Sequence, residues 1–81
     1  MSKPDFHAIY PDPLEAECCE GYYDGRRPDS PEPGPNRHPA YIHGFQNGRD
    51  DIGVRHGYTA QDRRETWALI VAMLSDPQNT A

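Results

Sequence analysis

Glu20-Gly21-Tyr22-Tyr23-Asp24-Gly25-Arg26 and His43-Gly44-Phe45-Gln46-Asn47-Gly48-Arg49 are two copies of one pattern, x-G-[YF]-x-[DN]-G-R, 23 residues apart. His56-Gly57-Tyr58 is a faint third echo without the second glycine or the arginine. Two glycines four apart on a helix cost roughly 1 kcal/mol each relative to alanine. Close approach of another helix offsets that cost, because small residues at i and i+4 let a neighbouring backbone lie against them. Gly25 and Gly48 also suit C-caps followed by arginine.

The flanks predict helices around both copies. Asp12-Pro13-Leu14-Glu15 is a start signal, with Asp as N-cap and Pro at the first helical position, and it opens a helix over Pro13–Gly25. Leu14, Cys18 and Tyr22 form its apolar stripe, while Glu15, Glu17 and Glu20 lie off it. The second copy predicts a helix over Pro39–Asp51, with Tyr41, Ile42, Phe45 and Gly48 as its stripe. Between them, residues 26–38 hold four prolines and read as a polyproline-like connector. Thr59 and Asp62 open a third helix over 60–75, rich in Trp67, Leu69, Ile70, Val71, Met73 and Leu74, and Asp76-Pro77 ends it.

The expected fold is all-α: an antiparallel helical hairpin with a Pro-rich connector, plus a C-terminal amphipathic helix. Residues 1–11 read as a flexible arm in which Pro4 and Pro11 disfavour a helix. Residues 12–76 form the single domain, and 77–81 a frayed tail. The glycine interface forms between chains as readily as within one, so a homodimer is an alternative.

Composition sets limits. The chain has 81 residues, 35% of them apolar, with nine prolines and seven glycines. So small a core has no room for a dinucleotide crevice or a (β/α) barrel. Thirteen acids face eight bases for a net charge of −5. All of the excess lies in residues 1–35, so generic coating of nucleic acid is disfavoured. No apolar N-terminal run and no stretch of roughly 18 apolar residues is present, so a cytoplasmic protein without a membrane span is expected. Cys18 and Cys19 are adjacent and poorly placed to bridge one another. His7, His38, His43 and His56 are the remaining soft ligands, but no C-x-x-C or H-x-x-x-H pair occurs. Neither a metal nor a cofactor is therefore expected. Nor is catalysis, since Cys18 lies on the apolar stripe as a buried thiol, and Glu15, Glu17 and Glu20 near Cys19 oppose a thiolate.

Gly21-Tyr22 with Gly25, a Pro-containing connector, and Tyr41-x-x-Gly44-Phe45-x-x-Gly48 together resemble the ribosome modulation factor family of small bacterial, phage and plasmid proteins. The resemblance covers residues 14–52. That family reads G-Y-x-x-G, connector, W-x-x-G-W, and its founding members bind ribosomal RNA. The resemblance implies two packed helices; Tyr41 and Phe45 stand where the family has tryptophan, and this chain is acidic where ribosome binders are basic.

Two functions follow as expectations, neither enzymatic. In the first, the chain is an inhibitor of a host nucleic-acid machine of the kind phages carry. Its acidic face, Glu15, Glu17, Glu20 and Asp24, would dock on a basic host protein or ribonucleoprotein, as an anti-CRISPR protein does. In the second, it is a ribosome- or RNA-binding modulator of translation, with Arg26, Arg27, Arg37 and Arg49 contacting phosphate and tyrosines stacking on bases.

Overall fold

The computed structural model describes residues 3–53 and 57–74. They fold into four helices: α1 Phe6–Ile9, α2 Pro13–Gly25, α3 Pro39–Asp51 and α4 Ala60–Leu74, with no strand among the described residues. The all-α class, the packed helix pair and the C-terminal helix are as the sequence predicts. The expected tail at 77–81 and the third motif echo at His56 lie outside the described residues.

Local chemistry sets the boundaries. Asp12 caps α2, its carboxylate accepting from the Leu14 amide at 3.0 Å. His38 caps α3 through Nδ1, which accepts from the Ala40 amide at 3.0 Å. At α4 the capping box is reciprocal. Thr59 Oγ1 accepts from the Asp62 amide at 3.1 Å, and the Asp62 carboxylate accepts from the Thr59 amide at 2.9 Å.

The glycines do what their cost requires. A β-carbon on Gly21 would stand 2.0 Å from the Tyr41 carbonyl oxygen, and one on Gly44 2.0 Å from that of Cys18. On Gly25 it would meet the Phe45 oxygen at 2.3 Å, and on Gly48 the Tyr22 oxygen at 2.6 Å. The α2 and α3 backbones are therefore in direct contact. Glycine α-carbons facing carbonyl oxygens is the geometry in which weak Cα–H···O contacts recur between helices.

This register also fixes the direction of the pair. Gly44 meets Cys18 and Tyr22, while Gly48, one turn on, meets Tyr22 and Arg26. Both chains advance together, so α2 and α3 cross in the same direction, where an antiparallel arrangement was expected. The polar contacts agree: Tyr22 and Arg26 reach Asp51, and Arg49 reaches Gly25, so the C-terminal ends lie side by side. The connector explains how. An antiparallel pair needs a turn of about 2–5 residues, whereas residues 26–38 are 13 long and stiffened by proline. They carry the chain back along the length of α2.

Shifting the numbering by 23 exchanges the two helices and preserves their contacts. Gly21 on Tyr41 becomes Gly44 on Cys18, and Gly25 on Phe45 becomes Gly48 on Tyr22. The sequence repeat is thus a pseudo-twofold axis. Outside the pair the symmetry breaks. α4 packs on α3, with Gln46 donating to Thr66 at 3.4 Å and the His43 ring 5.3 Å from that of Trp67. On the other side the arm forms α1, a single turn against α2, with Phe6 and Tyr23 rings 5.6 Å apart. A helix there was not expected. Pro4 and Pro11 flank the turn instead of interrupting it, and Asp5 caps it through the Ala8 amide.

The buried apolar core is correspondingly small: Ala16, Ala40, Tyr41, Phe45 and Ile70. On α4, Trp67, Leu69, Val71 and Leu74 remain exposed.

Candidate arginine–aromatic groove

The pseudo-twofold pairs Tyr22 with Phe45 and Arg26 with Arg49. Both arginines lie over the paired ring, Arg49 at 4.5 Å from Phe45 and Arg26 at 5.6 Å from Tyr22. Their surroundings differ. Phe45 is fully buried and Arg49 only 3% exposed. The Arg49 guanidinium donates to the carbonyls of Gly25 at 2.8 Å, Arg27 at 2.7 Å and Ser30 at 2.7 Å. It thereby satisfies the open end of α2 and anchors the connector. Arg49, expected as a phosphate contact, is instead a structural residue, because its donors are spent on the chain's own carbonyls.

The Arg26 half has no such cover. A groove of about 580 Å³ opens there between α1, α2 and α3, lined among others by Phe6, Tyr10, Tyr22, Tyr23, Arg26 and Arg27. Arg27 stacks on Tyr23 at 5.5 Å and donates to its hydroxyl at 3.1 Å. Asp51 lies at the edge, accepting from the Tyr22 hydroxyl at 2.5 Å and sitting 3.8 Å from Arg26 Nε. Among the described residues that line the groove, none is acidic. A second hollow, lined by His43, Ala60, Arg63, Arg64 and Trp67, shares Asn47 with the first. The paired arginines Arg26-Arg27 and Arg63-Arg64 thus serve two adjoining hollows.

The thiols of Cys18 and Cys19 also line the groove and are free. Burial, and then Cys19 beside it, pushes the Cys18 thiol above its ordinary range, which keeps it protonated at neutral pH.

The acidic face is only partly free. Glu15 is exposed. Glu17 meets His7 Nε2 at 3.2 Å, and Glu20 holds Lys3 at 2.7 Å and Arg37 at 3.5 Å. Asp24 is 8% exposed, accepting from Tyr41 at 2.5 Å and Lys3 at 2.9 Å. Arg37, besides that pair, stacks on Tyr41 at 3.7 Å and stands apart from the groove lining. Of the four expected phosphate contacts, then, Arg26 and Arg27 come together, and Arg37 and Arg49 serve other contacts. Docking of the arm through Phe6 and Tyr10 was legible in the sequence as two aromatics four apart that could pack on the body, whereas the helical turn between Pro4 and Pro11 was not.

Among the described residues no helix is long and apolar enough to cross a membrane. Comparison with family models, curated proteins and solved structures finds no match to this chain.

Proposed function

We propose that the chain is a non-enzymatic binding protein of a nucleic-acid machine, and that its groove holds a single-stranded segment of RNA. The observation that carries this is the pairing of Arg26 with Arg49. In the closed half, an arginine over an aromatic ring gathers three carbonyl oxygens of the connector. In the open half, the equivalent arginine and ring face a groove with a second arginine and three further aromatics. Phosphate oxygens suit the arginines, and unstacked bases suit the rings. The net charge of −5 opposes this only at a distance. At about 0.1 M salt, charges more than about 10 Å apart are largely screened, so the local charges decide, Arg26 and Arg27 against the single carboxylate of Asp51 at the edge. The resemblance to the ribosome modulation factor family supports the same reading.

Fluorescence anisotropy with a labelled single-stranded RNA tests it. Arg26→Ala with Arg27→Ala lowers affinity at least tenfold. It also flattens the salt dependence by about 1.4 in the log–log slope, about 0.7 for each phosphate that is no longer neutralised. Absence of binding at low salt, or an unchanged slope in the double variant, contradicts the proposal.

A second reading, inhibition of a host machine by protein contact, is favoured by the exposed apolar residues of α4. Trp67 is 51% exposed and Leu74 55%, and an exposed tryptophan amid aliphatics is a strong anchor for a protein partner. In this reading the acidic residues contribute mainly through Glu15, since their other members are engaged within the chain. Capture of a host protein by the wild type and its loss in Trp67→Ser support it. Capture that is indifferent to Trp67 and is abolished by Glu15→Lys returns the contact to the acidic face.

A further inference from the structure

His7, Glu17 and Glu20 bring one ligand atom each within 4.8 Å of one another. They come from two separate elements, the imidazole from α1 and the carboxylates from successive turns of α2. Glu17 and Glu20 are three apart and so share a helix face. His7 Nε2 lies 3.2 Å from Glu17 Oε1. Two ligands on a tetrahedral ion with bonds of about 2.1 Å stand about 3.4 Å apart, so this spacing already suits a shared metal.

A separate observation concerns the second oxygen of Glu17. Oε2 is inaccessible to solvent and has no hydrogen-bond partner among the described residues. A buried, unpartnered carboxylate oxygen is costly, more so when charged, and a metal bound to that carboxylate would remove much of the cost. The place already holds cations. Lys3 Nζ sits 2.7 Å from Glu20 and 2.9 Å from Asp24. On metal binding Lys3 keeps Asp24 and Arg37 keeps the Tyr41 ring, so releasing Glu20 strands neither cation.

The geometry points to a divalent transition-metal site at His7, Glu17 and Glu20, which ties α1 to α2. One imidazole and two carboxylates suit a borderline ion such as Zn²⁺ and are poorly matched to Mg²⁺ or Ca²⁺, which prefer oxygen alone. The site is distinct from the groove, and its test does not depend on RNA binding. Its consequence is local: the arm that supplies Phe6 and Tyr10 to the groove wall becomes fixed by a metal.

Isothermal titration of the full chain with Zn²⁺ alone tests this, in a Cys18→Ser, Cys19→Ser background that removes the thiols as competitors. One ion binds saturably, and Mg²⁺ at the same concentrations does not. His7→Ala and Glu17→Gln each weaken binding by tenfold or more, at least the loss that removal of an outer partner of a metal ligand causes. His7 is exposed, so its substitution leaves the fold intact, and circular dichroism verifies this for both variants. The proposal is overturned if no saturable Zn²⁺ binding occurs in this background, if Mg²⁺ binds equally well, or if either variant binds as its parent does.

Discussion

Gly44 lies against the peptide of Cys18 so closely that a β-carbon on it would stand 2.0 Å from the Cys18 carbonyl oxygen. Its mate Gly21 makes the same contact with Tyr41. Everything else in the fold is arranged around this crossing, from the crossover connector to the groove beside Tyr22.

Gly44→Ala and Gly21→Ala therefore destabilise the chain, against helix propensity. Alanine gains about 1 kcal/mol over glycine in a helix, but overpacking costs about 1–3 kcal/mol and occasionally more. Here the obstacle is backbone, which cannot rotate aside, so the upper end applies. The expected net loss is about 2 kcal/mol, or about 8–16 °C in Tm for a domain of this size. Gly34→Ala is the control: a β-carbon there meets nothing within 4 Å, so Tm stays within a degree or two by thermal denaturation.

Arg49 is expected to matter for stability and not for ligand binding. Arg49→Ala leaves the Gly25, Arg27 and Ser30 carbonyls without their donor. Hydrogen bonds to charged groups contribute about 1.5–3 kcal/mol each and are not additive, so a loss of about 3 kcal/mol is expected in urea unfolding. Arg49→Lys recovers little of it, because an ammonium lacks the planar fork that serves three carbonyls at once.

His43 makes stability pH-dependent. Burial first, and then the nearby Arg63, hold its pKa below the ordinary 6.5. Its Nδ1 is buried without a partner among the described residues, and Nε2 meets Asn47. The unfolded chain therefore binds a proton that the folded chain resists. The stabilising contribution is complete above about pH 6.5 and is lost as pH falls through the lower folded value. Asp50, which pairs with Arg63 at 2.6 Å, faces the same region. The Tm of the wild type should fall between pH 7 and 5 more steeply than that of His43→Asn. The fluorescence of Trp67, the single tryptophan, reports the loosening of α4 directly.

The helix boundaries were legible because caps and prolines act locally: Asp12-Pro13, Pro39 and Thr59 with Asp62 each mark a start, while the cap that His38 supplies to α3 emerges only in the structure. The glycine crossing was legible too, since C-caps could account for Gly25 and Gly48 but only backbone contact repays Gly21 and Gly44 inside their helices. The direction of the pair was open to a reading of connector length, because 13 residues are more than an antiparallel turn uses. The site was legible only in part. Arg26 and Arg49 occupy the same position in the repeat, and nothing local distinguishes them. One is buried because the connector folds over it, and that depends on tertiary structure. The pairing of His7 with Glu17 is equally non-local.

The glycine crossing is open to direct observation through nuclear Overhauser effects between glycine α-protons and amides across the two helices. Three are expected together: Gly44 to Tyr22, Gly48 to Arg26, and Gly21 to Phe45, a register in which both chains advance side by side. Contacts from Gly44 to Arg26 with Gly48 to Tyr22 would instead place the helices antiparallel, and the pseudo-twofold pairing of Arg26 with Arg49 would fall with the register.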